Sequence, residues 1–301
     1  MLLREVMVMT VGQAKAIRDA FAKKENPSDE EFFAFTEAMG YLIEKVKSPG
    51  DMVFLGGVYY DLKDFDLALK YYEMAAGYDS LDACAGLGYI WYYGRTGKRD
   101  YEKAFQYFSK AAAMGDLQSA YKIADMYKNG YYVKQDREHY KRIIKGLYPR
   151  VKNAVYLTDP LPEISMRLAE IDVEEGRTRE AAELYCSARA FLAERLRYNP
   201  FFGDLNNMKW LIDGLYALVD FDEDNFDFYD LYHLLKSPCT VTFRYHGRDY
   251  AVRAVAEDGE CGIAFGDKWY RTRDDFFGRA TIENARLTSV CSQFYLFEVK
   301  R

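Results

Sequence analysis

ACAGLGYIWYYGRTGKRDYEKAFQYFSKAAAMGD, residues 83 to 116, decides the architecture, because most of it occurs again 36 residues away on either side. At that shift DYEKAFQYFSKAA, from Asp100, falls on DFDLALKYYEMAA, from Asp64. Ala104/Ala68, Tyr107/Tyr71, Phe108/Tyr72 and Ala111/Ala75 coincide. Moved forward, Cys84, Leu87, Gly88, Trp91, Gly94 and Asp100 fall on Ala120, Ile123, Ala124, Tyr127, Gly130 and Asp136. Moved backward, Leu55-Gly56 and Tyr59 match Leu87-Gly88 and Trp91 after a deletion in the connecting turn. A fourth, divergent copy, LAEIDVEEGRTREAAELYCSA, starts at Leu168. Self-similarity at such a period signals stacked supersecondary units.

The spacing has a physical reading. Leu, a small residue and then an aromatic form one stripe on a first helix. Gly-rich punctuation follows, and an Asp at the N-cap opens a second helix with Ala, aromatic and Ala on one face. Small residues let the two helices approach, aromatics fill the gap to the next pair, and one pair alone cannot bury both of its faces. The turn YYGRTGKRD, residues 92 to 100, ends in Gly97-Lys98 and invites comparison with a phosphate-binding loop. Such a loop needs Gly where Tyr92 stands and Ser or Thr where Arg99 stands. GRTGKRD instead occupies the place of GYYVKQD in the next copy, so it is an inter-helix turn.

On the residues of ACAGLGYIWYYGRTGKRDYEKAFQYFSKAAAMGD and SAYKIADMYKNGYYVKQDREHYKRI, the chain resembles the Sel-one-like repeat, a relative of the tetratricopeptide repeat with a longer turn. The resemblance covers about residues 50 to 148 and is nearer the plain tetratricopeptide pattern from 163 to 190. It departs at Tyr132, where the family usually has a second glycine, and at Leu147-Tyr148, which replace the Ala pair. PRVKNAVYLTDPLPE then interrupts the stack. The expected fold is mainly α: an α-solenoid of antiparallel helix pairs over residues 50–236, preceded by a helical cap over 1–49 and followed by a small β-rich domain over 237–301.

In the cap, Ser28 and Glu31 have capping-box spacing. Phe32, Phe35, Met39 and Leu42 recur at helical intervals, and Pro49-Gly50 reads as that helix's end. WLIDGLYALV and FDFYDLYHLL read as closing helices. Between them DFDEDNFDFYD, from Asp220, has an acidic spacing like a calcium loop. However, Asn225 stands where Gly is wanted and Leu231 where Glu is wanted, so an acidic helix start is the better reading. From Ser237-Pro238 the texture alternates with period two. Hairpins are expected at His246-Gly247 and Gly266-Asp267, a short helix capped by Thr272, and strands over ARLTSV and FYLFEV. The module's aromatics, Trp269, Tyr270, Phe276, Phe277, Phe294, Tyr295 and Phe297, exceed what so few residues bury alone, which would suit a module capping the last helices.

Half of the 301 residues are hydrophobic and 17% are aromatic, enough for one elongated or two compact cores. A net charge of −6 argues against generic binding to nucleic acid or anionic membrane. The N-terminal apolar patch is broken by Arg4 and Glu5 and lacks the order of a signal peptide. Five cysteines without C-x-x-C spacing point to buried free thiols in a reducing cytoplasm. The three histidines, His139, His233 and His246, have no nucleophile or metal motif beside them. No catalytic residue, cofactor or metal is therefore expected.

The resemblance implies that the first helix of each pair lines the concave side. Counted from the Leu-Gly pair, the groove positions are Val53, Gly57, Tyr60 and Asp61; then Asp82, Ala85, Tyr89, Tyr92 and Tyr93; then Gln118, Tyr121, Asp125, Lys128 and Asn129. Tyrosines among Asp, Lys and Asn have the composition of a recognition surface. The expected partner-binding residues are Tyr60, Tyr89, Tyr92, Tyr93, Tyr121, Asp125, Lys128 and Asn129. The function this implies is a non-catalytic cytoplasmic scaffold or adaptor for a protein or peptide. The alternative is ligand sensing or catalysis in the C-terminal module, with the solenoid as its tether.

Overall fold

The computed structural model describes residues 9–24, 26–198, 202–222, 226–257 and 260–300, so the N-terminal patch through residue 8 lies outside it. The described residues form a helical-repeat solenoid followed by an antiparallel sheet. They divide into two compact units, residues 1–143 and 144–301.

In the first unit α1 (Val11–Phe21) and α2 (Asp29–Val46) form the cap. The capping box of Ser28 and Glu31 is present, and Phe35, Met39 and Leu42 are fully buried. Arg18 Nη1 donates to Asp51 Oδ1 at 2.6 Å, tying α1 to the first repeat. Pro49-Gly50 opens a helix rather than ending one. α2 stops at Val46, where Lys47 takes a left-handed φ of 55°, and Ser48 caps α3 (Pro49–Asp61) with Pro49 in its first turn. Proline suits that position because the N–H it lacks would have had no helical partner there.

The repeats continue as α4 (Phe65–Ala76), α5 (Leu81–Tyr93), α6 (Tyr101–Ala113), α7 (Leu117–Asn129) and α8 (Arg137–Val151), the last running past the unit boundary. Asp64 and Asp100 cap α4 and α6 through the backbone N–H groups of Leu67 and Lys103, at 3.2 and 3.0 Å. The turns after α5 and α7 are the same object. Gly94 and Gly130 have φ of 65° and 71°, and in each case the following N–H returns to a carbonyl of the helix, Arg95 to Ile90 and Tyr131 to Met126, both at 3.0 Å. Asp100 N then donates to Trp91 O at 3.1 Å and Asp136 N to Tyr127 O at 3.0 Å. Tyr132 adopts a left-handed φ of 64° without being glycine, with its ring on Phe105 and its hydroxyl 3.3 Å from Glu102.

Where the helices meet, rings lie directly on glycine. A Cβ added to Gly88 would come within 2.4 Å of the Phe108 ring, and one on Gly56 or Gly86 within 2.9 Å of the Tyr72 ring. Tyr72 thus sits between a glycine of its own repeat and one of the next, and its burial pushes the phenol's pKa up to about 12.

In the second unit α9 (Leu161–Glu174) and α10 (Thr178–Tyr198) pack as a pair, with α11 (Phe202–Leu215) against α10. A Cβ added to Gly214 of α11 would come within 2.7 Å of the ring of Tyr185 in the divergent copy, the same device again. The acidic segment ends in a helix start: Asp227 caps the turn Phe228–Asp230, which leads into α12 (Leu231–Leu234). Asp227 and the buried Asp230 both take Arg189, at 2.8 and 2.7 Å. Asn225 falls outside the described residues. Among those described, no group of three His, Cys, Asp or Glu could hold a metal ion.

The strands are β1 (Cys239–Tyr245), β2 (Arg248–Glu257), β3 (Glu260–Phe265), β4 (Lys268–Tyr270) and β7 (Tyr295–Lys300), in the antiparallel order β4-β3-β2-β1-β7. β5 (Thr281–Ile282) and β6 (Ala285–Arg286) form a separate hairpin. His246-Gly247 is the two-residue β1–β2 turn, both residues at positive φ. Thr272 caps α13 (Arg273–Arg279). ARLTSV departs from the strand reading: only Ala285–Arg286 are extended, and Leu287–Val290 form α14. Leu287 is fully buried there, so one apolar run serves a helical turn as well as it would a strand. Phe276, Phe277 and Phe294 join Leu192, Leu211 and Phe228 of the helices and Val241 and Phe243 of the sheet in one continuous core. Trp269 and Tyr295 stay exposed. Of the cysteines, Cys84, Cys239 and Cys291 are buried; Cys186 and Cys261 are exposed, contrary to the uniform burial expected.

Two glycine-to-alanine changes separate packing from propensity. Gly40 lies within α2 with nothing within 4 Å of its added methyl, so Gly40→Ala is expected to stabilise the chain by about 0.5–1 kcal/mol. Gly88→Ala must displace the fully buried Phe108 ring and is expected to destabilise by about 1–3 kcal/mol. Urea denaturation measures both, and equal effects at the two sites would refute the close approach.

Candidate functional site

The eight expected partner-binding residues all lie in the first unit, on α3, α5 and α7, at different depths. Tyr93 and Asn129 are exposed; Tyr60, Tyr89, Tyr92 and Lys128 are half-buried; Tyr121 and Asp125 are buried. Tyr89 and Tyr93, one turn apart on α5, stack with centroids 6.1 Å apart, and the Tyr89 hydroxyl donates to Gln118 Oε1 on α7 at 3.3 Å. Tyr92 turns inward. Its ring meets Tyr101, Phe108 and Tyr131 edge-on at 5.7 to 6.1 Å, and burial pushes its phenol well above the ordinary tyrosine range. Asn129 Nδ2 donates to the Asp125 carbonyl at 2.8 Å, closing the end of α7, and the Lys128 ammonium lies 5.4 Å from the Tyr140 centroid.

Two cations draw these rings together. Lys122, on α7, holds its Nζ at 5.3 to 5.8 Å from the centroids of Tyr89, Tyr92, Tyr93 and Tyr121. It donates to the Tyr93 hydroxyl at 3.2 Å. Arg95, in the turn after α5, lies 5.1 Å from the Tyr93 centroid, 5.8 Å from Tyr60 and 5.6 Å from Phe65, and its Nε donates to the Tyr60 hydroxyl at 3.2 Å. Through these two side chains Tyr60 of α3 and Tyr89 and Tyr93 of α5 become one connected surface, with the buried Tyr121 of α7 joined to it from beneath, so that the cluster spans three successive repeats.

Neither cation was singled out by sequence pattern. Lys122 is the 36-residue equivalent of Gly86, the glycine that faces Tyr72 of the preceding repeat. A lysine at a position that faces a neighbour's aromatics was the available signal. Arg95 lay in the turn and read as punctuation. A cation over a tyrosine face contributes about 0.5–2 kcal/mol, more as water is excluded, so four rings can hold an ammonium that is only 9% exposed.

In the second unit, a cleft of about 540 Å³ opens beside β2 and β3, lined by Asp249, Tyr250, Arg253, Phe265, Lys268 and Glu283 among others. His246 Nδ1 lies 2.9 Å from Oε2 of the lining Glu283, and the Tyr250 hydroxyl donates to Glu283 Oε1 at 3.1 Å. The His246 contact, followed by the Tyr250 hydrogen bond, draws the Glu283 carboxyl below its usual range. His246 and Glu283 each hold a left-handed φ, 46° and 48°, in their turns. His139 and His233 lie against rings, Tyr127 at 4.2 Å and Tyr216 at 4.6 Å.

The Sel1 repeat family matches residues 50–76, 81–116 and 117–139, so α3 to α7 and the start of α8 are three Sel1 repeats. No curated protein matches the sequence. Among solved structures the chain is similar to a Sel1 repeat protein from Oxalobacter formigenes. The identity is 21% and the TM-score 0.49, with 69% of this chain and 77% of that one covered. It is also similar to a protective antigen of uropathogenic Escherichia coli strains displaying an SLR fold. There the identity is 16% and the TM-score 0.48, with 71% of this chain and 50% of that one covered. No helix among the described residues is long and apolar enough to cross a membrane.

The depth of the tyrosines separates structural from surface roles. Tyr92→Ala is expected to lower stability by about 2–3 kcal/mol, since it removes a ring packed on three others. Tyr93→Ala, at a 41% exposed side chain, should stay within about 1 kcal/mol of wild type. Chemical denaturation of both variants checks this, and the reverse order would overturn the assignment.

Proposed function

We propose that the chain is a non-catalytic scaffold or adaptor that takes a partner protein, or a peptide segment of one, on the face built by α3, α5 and α7. The observation that carries this reading is the connected surface of Tyr60, Tyr89 and Tyr93, joined by Arg95 and Lys122 and backed by the buried Tyr121 of the third repeat. Sel1 and tetratricopeptide-like repeats generally mediate protein–protein interaction. Tyrosine suits such a face, presenting rigid aromatic area with a polar tip at small entropic cost on binding. Asn129 and Lys128 extend the face along α7, while Tyr92 and Asp125 support it from beneath. The Gly97-Lys98 turn plays no part in this reading.

A second reading, ligand binding in the C-terminal module, is favoured by one observation: the cleft lined by Tyr250 and Glu283, with His246 in contact with Glu283. One set of variants of the full chain separates the two. Tyr89→Ala/Tyr93→Ala should abolish partner capture from native lysate, with helicity by circular dichroism unchanged. Lys98→Ala and Glu283→Gln should leave capture intact. Capture that survives the tyrosine changes and is lost on Glu283→Gln would move the binding site to the C-terminal cleft.

A further inference from the structure

Lys122 is a buried cation without a counter-ion. Its side chain is 9% exposed, and among the described residues no carboxylate lies within 4 Å of its Nζ; its one hydrogen bond is to the Tyr93 hydroxyl. Arg95, which is exposed, also makes one hydrogen bond, to the Tyr60 hydroxyl, and no described carboxylate lies within 4 Å of its guanidinium. For a cation as buried as Lys122 this is unusual company. Elsewhere Arg189, Arg195, Lys145 and Lys110 all meet carboxylates at 2.9 Å or closer. A buried ammonium retains only part of its hydration, and ring faces replace that hydration incompletely, leaving N–H donors for an anion. Tyr93, whose ring both cations share, is 41% exposed as a residue, so it marks where an anion can approach each of them.

Resting on the reading of this face as the partner-binding surface, we propose that its occupant is an acidic peptide segment whose Asp or Glu side chains pair with Lys122 and Arg95. Both cations lie against the Tyr93 ring, at 5.5 and 5.1 Å from its centroid, so they are within about 11 Å of each other. An extended segment advances about 3.3 Å per residue, so two carboxylates no more than about three residues apart can reach both. The tyrosines supply apolar area beside those carboxylates, and the lowered dielectric there strengthens each ion pair relative to one in open solvent. Charge sets the choice of partner and the rings supply the contact area.

The test uses the full chain and three fluorescein-labelled peptides on one Gly/Ser host, carrying two glutamates separated by two residues, or two glutamines, or two lysines in their place. Fluorescence anisotropy should show the glutamate peptide binding, with affinity falling as salt is raised, and the other two not binding. Lys122→Met and Arg95→Gln should each weaken binding about tenfold or more. Arg95 is exposed, so its variant keeps the test valid if replacing the buried lysine impairs folding. Equal binding of the glutamine peptide, unchanged binding by Arg95→Gln, or no binding of the glutamate peptide overturns the proposal. Any of these results, with partner capture still lost in the Tyr89→Ala/Tyr93→Ala protein, leaves the tyrosine face standing and removes only its preference for acid.

Discussion

An aromatic ring lying on a bare backbone is the contact on which the rest of this structure depends. Tyr72 between Gly56 and Gly86, Phe108 on Gly88 and Tyr185 on Gly214 all leave no room for a methyl group. Each ring takes the space that a side chain on the facing helix would have used, so helix spacing is set by the thickness of a ring. Dense packing of this kind transmits small displacements to its neighbours. Tyr89 and Tyr93 stack because they are one turn apart on α5, and the spacing between helices is what lets α7 bring Lys122 beneath them.

Much of this was legible in the sequence because it is local or periodic. The caps Asp64, Asp100 and Ser28, the shared turn of Gly94 and Gly130, and the pairing of small residue with aromatic follow from spacing alone. Pro49 was ambiguous for a physical reason: the same ring that breaks a helix interior suits a helix start, and the fate of its missing N–H depends on which side the chain is helical. ARLTSV was ambiguous because two adjacent buried positions, Leu287 and Thr288, do not fix a period. The lysine–tyrosine contact was illegible for a different reason. Its partners lie 29 to 33 residues away on α5, two helices back, apart from Tyr121 beside it, and only the stacking of repeats makes them neighbours.

The candidate face shows how one residue type divides between two tasks. Tyr92 and Tyr93 are adjacent, yet one ring is wedged among Tyr101, Phe108 and Tyr131 and the other is open to solvent. Composition could mark the cluster but not assign depth within it, since consecutive helical residues point about 100° apart. The cations resolve the matter in space: Arg95 and Lys122 both settle on Tyr93 and place it at the centre of the surface.

The core that helices and sheet share in the second unit sets an order on synthesis. Helices α9 to α11 bury Met166, Leu192 and Leu211 in the same cluster as Phe243 of β1 and Phe294, which immediately precedes β7. β7 pairs with β1, so the sheet is incomplete until the last described residues have been made. The first unit is built from contacts between successive helices and can close while the ribosome is still at work. The second must hold helices with unburied apolar faces until about a hundred further residues have been added. During that interval the exposed faces of α9, α10 and α11 are the part of the nascent chain most in need of a chaperone.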